Sequence, residues 1–466
     1  MAASTASRRS LFRHPNYRKL WTAATVSLFG TQVSQIAIPY IAAVVLKASP
    51  GEVGLLTTIE FLPFILFTLP AGVWVDRFPK RRILVIGDLG RAAMLVSIPL
   101  AAALGGLTIW QLYLVGFVNG AMTVFFDVAD QSFLPTILDR DELVEGNAKL
   151  QISGSSAQIL GQPVGGGLVA LLTAPVAVLI DAASYLGSAA LILWIRLTSS
   201  GARATGRRSE DVPPTTAAVA PDAEAVVSPS TGASVGGEAA AQQPAVPASD
   251  GGSMRSQIMA GLRYIGRHRY LANIAASTAT SNLFGNIAFA ILPVYLYRTL
   301  GLSPASVGAV GGIGGAGVLI GALVASRAAT RFGVGPVIVG ALLIGGINGL
   351  LLPLASPELA FWFVSASFFV GGLTGVVFNV NQVSLRQAIT PEHFLGRMNA
   401  TMRFLVWGTI PIGSLIGAGL SEVVGVHTTI WIGSILGLLA FLPTFLSPVR
   451  SLRTIPTEDP DAAFAS

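Results

Sequence analysis

The stretch GAMTVFFDVADQSFLPTILDRDELVEGNAKLQISGSSAQILGQPVGGGL, residues 120–168, decides the fold because it recurs 252 residues later, without a gap, as residues 372–420. The two copies are identical at 13 of 49 positions. Four of the shared residues are glycines, at positions 120, 161, 165 and 167 of the first copy. Glycine lets helix backbones approach closely. We therefore expect tight helix contacts at these positions and conclude that the chain is a duplicated domain.

The composition is that of a membrane protein. Apolar residues make up 52% of the 466 positions and charged residues 11%, whereas soluble domains carry about 25% charged residues. A bilayer core about 30 Å thick needs about 20 apolar residues in a helix. Twelve such runs are present: 17–39, 52–74, 82–104, 107–130, 146–172, 175–195, 270–296, 304–326, 334–355, 358–382, 398–420 and 426–447. We predict an all-α integral membrane protein with twelve transmembrane helices in two pseudo-symmetric six-helix bundles, the architecture in which secondary transporters enclose a central path.

The distribution of positive charge predicts the orientation in the membrane. Of the 29 Lys and Arg residues, only Lys47 and Arg298 fall in loops on the face opposite the termini. Because positive loops stay in the cytoplasm, we expect both termini to be cytoplasmic. The net charge of +6 is then explained by the cytoplasmic loops, and we expect no nucleic-acid partner.

Composition also divides the chain into segments. We predict an N-terminal six-helix bundle over 1–197, a disordered cytoplasmic linker rich in Ala, Pro, Ser and Gly over 198–253, a C-terminal six-helix bundle with an interfacial lead-in helix over 254–450, and a cytoplasmic tail over 451–466. The linker lacks the apolar periodicity that a packed core requires.

The turn after span two, GVWVDRFPKRR at residues 72–82, carries the first informative motif. It resembles the major facilitator superfamily, whose loop between helices two and three reads G-x-x-x-D-R-x-G-R-R. The match departs only at the second glycine. The resemblance implies a conformational latch formed by Gly72, Asp76, Arg77 and Arg82; the alternative is a turn that only retains positive charge in the cytoplasm.

Span five carries a second motif, AQILGQPVGGGL at residues 157–168. Pro163 kinks a helix, and Gly161, Gly166 and Gly167 allow close packing. The motif looks like the antiporter motif of drug-exporting facilitators, with Gln162 in place of one glycine, and it favours export over import.

Whole segments resemble one branch of the superfamily. They are NYRKLW, LPAGVWVDR, FFDVADQSFLP, FNVNQVSLRQ and GRMNATMRF. Together they are similar to the enterobactin exporters and macrolide-efflux proteins, the transmembrane secretion effectors. The resemblance implies a bacterial cell-membrane exporter, driven by protons, of bulky amphiphilic small molecules such as antibiotics or siderophores. In this branch an acid frequently follows a glycine in span one, whereas here Thr31 follows Gly30.

Acids inside the spans are the proton-coupling candidates, because ionisable residues in a membrane are costly. Glu60 is placed ~12 Å from the outer end of span two, near the midplane; its alternative role is a neutral hydrogen bond to a neighbouring helix. Asp127 and Asp130 share a face of span four at the cytoplasmic boundary, where they pair with Arg386 or Arg140 or take part in proton coupling.

Polar residues on spans one, four, seven and ten are the substrate candidates, since those helices line the cavity in the superfamily that the chain resembles. They are Gln32, Gln35, Asn119, Asn282, Asn286, Asn379 and Asn381. The alternative is that these amides tie helices together.

Other classes of function have less support in the sequence. It lacks a G-x-x-x-x-G-K-[ST] run and a metal-ligand spacing of its four histidines, so we expect no enzyme, cofactor or metal. We expect a monomer that works with a small molecule, protons and the lipid bilayer. A nutrient importer and a non-transporting scaffold or sensor are the competing hypotheses.

Overall fold

The computed structural model describes residues 11–138, 142–195 and 262–455. The predicted linker 198–253 and most of the predicted tail lie outside these ranges, as does the first part of the predicted lead-in helix. Residues 262–267 are helical.

The described residues contain twelve helices of 13 residues or more. In chain order they are α1 Pro15–Tyr40, α2 Pro50–Arg77, α3 Lys80–Ala103, α4 Ile109–Phe133, α5 Leu143–Leu172, α6 Ala174–Leu193, α7 Leu271–Phe289, α8 Pro304–Phe332, α9 Val334–Gly349, α10 Ala360–Ala388, α11 Glu392–Val424 and α12 Val426–Leu438. Each overlaps one predicted span. The predicted all-α membrane fold is confirmed.

Within the described ranges, nine helical segments are long and apolar enough to cross a membrane, and α9 is a shorter apolar helix. The last of the nine, Val426–Phe445, consists of α12 and the short helices that continue it. Helices α5 and α11 are not among the nine. We use "outer" and "cytoplasmic" for the two ends of the helices as the loop charges predict them. Trp110 and Trp362, 252 residues apart, are 74% and 69% exposed near the outer ends of α4 and α10, where aromatic side chains suit a membrane interface.

The duplication extends to helix ends that the sequence comparison did not reach. Helix α1 contains Pro39 and is followed by a π-helical turn over Ile41–Val45. The corresponding turn after α7 spans Tyr295–Thr299, 254 residues later. Lys47 and Gly301 then take positive φ angles of 51° and 69°, before α2 and α8 begin with equivalent Ser-Pro caps.

The repeated glycines of α5 and α11 pack these helices against the first helix of their own bundle. A Cβ atom at Gly161 would lie 2.7 Å from Cγ of Gln32, and one at Gly413 would lie 2.9 Å from Cβ of Asn286. Gly165 meets α1 and Gly417 meets α7 in the same way, one helical turn further along. The expectation of tight contacts is thus confirmed at two of the repeated glycine pairs. The pair Gly167 and Gly419 faces open space, and nothing in the structure explains that identity.

Candidate functional site: a cavity between the two bundles

A cavity of about 370 Å³ lies between the two six-helix bundles. Polar and acidic lining side chains come from α1, α2, α4, α5 and α6, whereas the C-terminal half supplies mainly apolar side chains. Among the described residues that line it, none is Lys, Arg or His. The lining includes Thr31, Ser34, Gln35, Thr57, Glu60, Phe61, Phe64, Asn119, Gln162, Asp181, Tyr185, Phe289, Leu292, Tyr297 and Phe368. The cavity therefore combines an aromatic wall with two carboxylates.

Glu60 lies on the cavity wall because α2 and α4 pack almost backbone to backbone. A Cβ atom at Gly120 would lie 2.5 Å from the main-chain oxygen of Glu60, and one at Gly116 would lie 2.8 Å from its Cγ. A larger residue at Gly120 would displace the backbone of α2, and one at Gly116 would displace the Glu60 side chain. The glycine that begins the repeated stretch thus sets the position of the predicted proton carrier.

Aromatic and arginine contacts close the outer end of the cavity. The rings of Tyr40 and Tyr297 meet edge to face with centroids 5.0 Å apart. Beside them, Nε of Arg298 donates a hydrogen bond of 2.5 Å to the main-chain oxygen of Ala43. Both contacts join the end of α1 and the π-helical turn that follows it to the π-helical turn after α7, so they link the two bundles.

Helix α2 is capped by a side chain of the other bundle. The Gly51 amide, in the first turn of α2, donates a 2.7 Å hydrogen bond to Oε1 of Glu422 near the outer end of α11. The carboxylate thus lies where a helix N-terminus favours negative charge. Glu422 lies beyond the predicted span, and contacts with the Ser49 hydroxyl and the Gly51 amide lower the pKa of its carboxyl from the ordinary value of 4.5.

Small residues complete the outer closure in two pseudo-symmetric contacts. A Cβ atom at Gly54 of α2 would lie 2.8 Å from Cβ of Ala418 in α11. A Cβ atom at Gly308 of α8 would lie 3.0 Å from Cα of Gly166 in α5. The α5–α8 contact continues to Pro163, whose Cγ would lie 2.5 Å from a Cβ atom at Gly312.

The residues of the antiporter-like motif therefore pack against different helices. Gly161 packs α5 against α1 within one bundle, whereas Pro163 and Gly166 pack it against α8 of the other bundle. Gly167 contacts neither helix, so its expected role in packing is not seen.

Two of the seven predicted substrate residues line the cavity, Gln35 and Asn119. The other five are placed elsewhere. Gln32 and Asn286 are covered by α5 and α11, as described above. The other amides donate to or accept from their own helices: Asn286 Nδ2 donates to the main-chain oxygen of Asn282 at 2.7 Å, Asn381 Nδ2 to that of Val377 at 2.8 Å, and Asn379 Oδ1 accepts from Gln382 at 3.0 Å. These three hydrogen bonds lie within single helices. Asn381 Nδ2 also donates to the main-chain oxygen of Ala325 on α8 at 3.4 Å, so it connects two helices. For the other four residues the alternative role, tying the helices together, stays a prediction.

The remaining candidates lie near the cytoplasmic ends. Asp127 is exposed on α4 and within electrostatic reach of Arg91 on α3; neither it nor Asp130 is part of the cavity lining. Arg140 lies outside the described residues.

In the predicted latch, Arg77 and Arg82 are exposed. Gly72 meets no neighbour within 4 Å of a built Cβ atom, so it makes no close helix contact. The side chain of Asp76 lies outside the described part of the structure. The latch stays a prediction.

Asp181 on α6 is a site residue that was not predicted from the sequence. This aspartate is 1% exposed, lines the cavity, and accepts a 3.2 Å hydrogen bond from the Ser184 hydroxyl. The signal was present in the sequence, since Asp181 is the single charged residue between Ala174 and Leu193, and charges inside a span mark functional sites.

The comparison with known protein families gives a match over nearly the whole chain. The model of the Major Facilitator Superfamily matches residues 20–272 and 274–465. The chain belongs to the Major Facilitator Superfamily. It is therefore a multi-pass membrane transporter and not an enzyme.

Curated relatives agree with this assignment. The multidrug efflux pump Tap of Mycolicibacterium fortuitum is 22% identical over 446 residues, 92% of this chain and 95% of the relative. Macrolide efflux protein A of Streptococcus pyogenes is 24% identical over 187 residues, 40% of this chain and 45% of the relative. The resemblance to the efflux branch is thus confirmed.

Some matches cover less than half of the relative's length. The chain spans 44% of the length of the transporter YfiS of Bacillus subtilis (strain 168), at 26% identity over 188 residues.

Among solved structures, a bacterial homologue of the iron transporter ferroportin in an inward-facing state aligns with a TM-score of 0.69 and 14% identity, over 94% of this chain and 99% of that one. That likeness concerns the fold alone.

Proposed function

We propose that this protein is a secondary active exporter that moves amphiphilic small molecules, such as antibiotics, out of the cell in exchange for protons. The observation that carries the proposal is the cavity between the bundles, with Glu60 and Asp181 on a wall whose other described side chains are aromatic, aliphatic or neutral polar. A largely apolar pocket with few polar groups suits broad recognition of amphiphilic molecules. The names of Tap and macrolide efflux protein A support the direction of transport.

The outer closure supports loading from the cytoplasm. All the contacts between bundles described above lie in the outer half of the helices or near their middle, where the rings of Phe64 on α2 and Trp407 on α11 meet at 4.5 Å. A substrate that enters from the cytoplasm would stop beneath Tyr40 and Tyr297. Opening of these contacts would then release it outside, as alternating access requires.

Glu60 is the residue to which we assign proton exchange. It lies on the cavity wall, where both protons and substrate have access to it, whereas Asp127 and Asp130 do not line the cavity. Protonation from outside would remove a costly charge from the low-dielectric interior, and release of the proton to the cytoplasm would restore that charge for the next substrate. One chain supplies both bundles and the whole cavity, which supports a monomer as the transporting unit.

The charge of the cavity favours one class of amphiphile. Two carboxylates and no described basic residue line it, so a protonated amine is attracted and an anionic catecholate siderophore is repelled. We therefore propose neutral or cationic drug-like molecules as substrates, in preference to siderophores.

The test is transport in proteoliposomes with an imposed pH gradient, using a macrolide that carries a protonated amine and a catecholate siderophore as probes. We expect gradient-driven macrolide movement in the wild type, and in Glu60→Gln loss of that movement with exchange of macrolide down its own gradient retained. Glu358→Gln, which alters an exposed acid near the outer end of α10, is the matched control. Equal gradient-driven rates in Glu60→Gln and the wild type would refute the role of Glu60, and siderophore movement without macrolide movement would refute the substrate class.

A further inference from the structure

A second carboxylate reaches the cavity from behind α1. Asp181 belongs to α6, which packs on the side of α1 away from the C-terminal bundle. Its carboxylate lines the cavity together with Thr31 and Ser34 of α1. The Ser34 hydroxyl faces this carboxylate. Helices α1 and α6 pack closely here because residue 30 is glycine: a Cβ atom there would clash with the Ser184 side chain and lie 2.8 Å from Oδ1 of Asp181. A side chain at position 30 would therefore push Asp181 and Ser184 away from α1.

The charges around Asp181 do not balance. Asp88 on α3 is 0% exposed, Arg91 is 5% exposed and Asp181 is 1% exposed. Nη2 of Arg91 contacts Oδ1 of Asp88 at 2.5 Å, and Arg91 interacts with Asp181 only through the longer-range electrostatic attraction. With both carboxylates ionised, this group of three carries one uncompensated negative charge, which is costly in the interior.

The guanidinium is not free to move from Asp88 to Asp181. Its central carbon lies 4.2 Å from the ring centroid of Phe126 and 4.2 Å from that of Tyr185. Each such contact contributes to holding a cation in place. The phenol of Tyr185 is itself hydrogen-bonded to the Thr31 hydroxyl at 3.0 Å. Asp88 therefore keeps the arginine, and Asp181 is the carboxylate in excess.

The other titratable groups near this cluster lie further along the helices. Asp127 faces Arg91 from α4, and Asp130 follows one turn later. Both add negative charge on the cytoplasmic side, so neither compensates the negative charge of Asp181. On α6 the titratable neighbour is Tyr185. On α1 the groups that face the cluster are the hydroxyls of Thr31 and Ser34.

We propose that Asp181 is a second proton-binding carboxylate of the transporter, which exchanges its proton directly with the cavity that it lines. The step is a proton transfer only: an O–H bond forms on the carboxylate with a proton from cavity water, and the same bond breaks when the proton returns. The inference rests on the proposed proton-coupled export and adds a residue to it. Ser184 and Gly30 act as positioning residues.

The experiment measures protonation directly, without substrate. The purified full-length protein is titrated with acid, and infrared difference spectra record the carbonyl stretch of protonated carboxylic acids. We expect Asp181→Asn to lose one component of this band and Glu60→Gln to lose a different one. The control is Glu145→Gln, which removes a surface acid paired with Lys149 at 2.6 Å and should leave these two components unchanged. A spectrum of Asp181→Asn that superimposes on that of the wild type would overturn the proposal.

A second variant keeps the test decisive if Asp181→Asn does not fold. Ser184→Ala retains the carboxylate and removes a hydrogen bond to it, so we expect the Asp181 component to shift in frequency without loss of amplitude. An unshifted band in Ser184→Ala would also overturn the proposal. The spectra are independent of transport. A wild type that shows the Asp181 component but moves no probe would contradict the proposed export and leave the protonation of Asp181 established.

Discussion

Replacement of Glu422 by alanine should open the outer side of the protein. The carboxylate caps α2 through the 2.7 Å hydrogen bond from Gly51, and this contact joins the two bundles, so it is lost when their outer ends separate. Capping side chains contribute about 0.5–2 kcal/mol. Because Glu422 is exposed, we take about 1 kcal/mol, which corresponds to a roughly fivefold larger outward-open population.

The sequence offers a direct assay, because it contains no cysteine. A single cysteine at Thr57, which lines the cavity, is reachable from outside only when the outer contacts are open. The rate of labelling by a membrane-impermeant maleimide added to intact cells then reports the outward-open population, provided that labelling is slower than the conformational exchange. We expect labelling about fivefold faster in Glu422→Ala.

The pH dependence follows from the lowered pKa of Glu422. The carboxyl has a pKa below 4.5 when it caps α2 and returns towards its ordinary value when the cap is broken. The capping contribution is therefore complete above the ordinary pKa and is lost as pH falls through the lowered one. We expect the ratio of labelling rates between variant and wild type to be constant from about pH 6 to 8 and to shrink in stronger acid.

The matched control is Glu358→Ala, which removes another exposed acid near the outer side. Labelling of Glu422→Ala at the wild-type rate, or an equal increase in Glu358→Ala, would show that the cap does not contribute to outer closure.

Two further predictions concern single backbone positions. Gly166→Ala should accelerate the same labelling by roughly fivefold or more, because overpacking costs about 1–3 kcal/mol and the new Cβ would lie 2.9 Å from Cα of Gly308. The control Gly167→Ala, with open space around the new Cβ, should label at the wild-type rate. Equal labelling rates for the two variants would contradict the packing argument. Thr173→Gly should raise the thermal midpoint of the purified protein by about 2–4 °C, because Thr173 has a φ of 73° where its counterpart is Gly425 at 82°. The control Thr108→Gly, at a helix start with a φ of −132°, should not raise it. A rise of the thermal midpoint in both variants would refute the backbone strain at Thr173.

The helices could be predicted from hydropathy and from the duplication, because both can be read directly from the order of the residues. The predicted span 17–39 corresponds to Pro15–Tyr40, and 146–172 to Leu143–Leu172. The repeat over the first two helices of each half was missed. There the offset is 254, as between Ser49 and Ser303, instead of 252, as between Trp110 and Trp362, so the second half is two residues shorter between these matched positions.

The faces of the helices could not be read in the same way. Gln32 and Gln35 are both polar residues of α1, yet Gln32 packs under Gly161 and Gln35 faces the cavity. Composition places both amides in a membrane span, and only the rotation of the helix separates them. Asp181 was missed for a related reason: α6 is not one of the four helices expected to line the cavity, and the close packing of α6 on α1 at Gly30 cannot be read from hydropathy.

The pseudo-symmetry separates what holds the bundles from what gives the cavity its chemistry. The packing pairs occur in both halves, Gln32 with Gly161 and Asn286 with Gly413. The carboxylates occur in one half, since the counterpart of Glu60 in α8 is Gly314, 254 residues later, and the counterpart of Asp181 in α12 is Gly433, 252 residues later.

Because both counterpart positions are glycine, the C-terminal half has no carboxylate at the equivalent places. Gly433 instead lets α12 approach α7, since a Cβ atom at Gly433 would lie 3.0 Å from Cβ of Ala288. The C-terminal wall of the cavity instead carries Phe289, Leu292 and Phe368. If protons bind where the carboxylates are, coupling belongs to the N-terminal bundle, and the C-terminal bundle contributes an apolar surface and half of the outer closure. Placing a carboxylate at Gly314 would then add a charge to the wall without an evolved partner, whereas removing Glu60 or Asp181 would take away one that the cavity uses. The duplicated scaffold can thus alternate between two states symmetrically while only one half changes its charge.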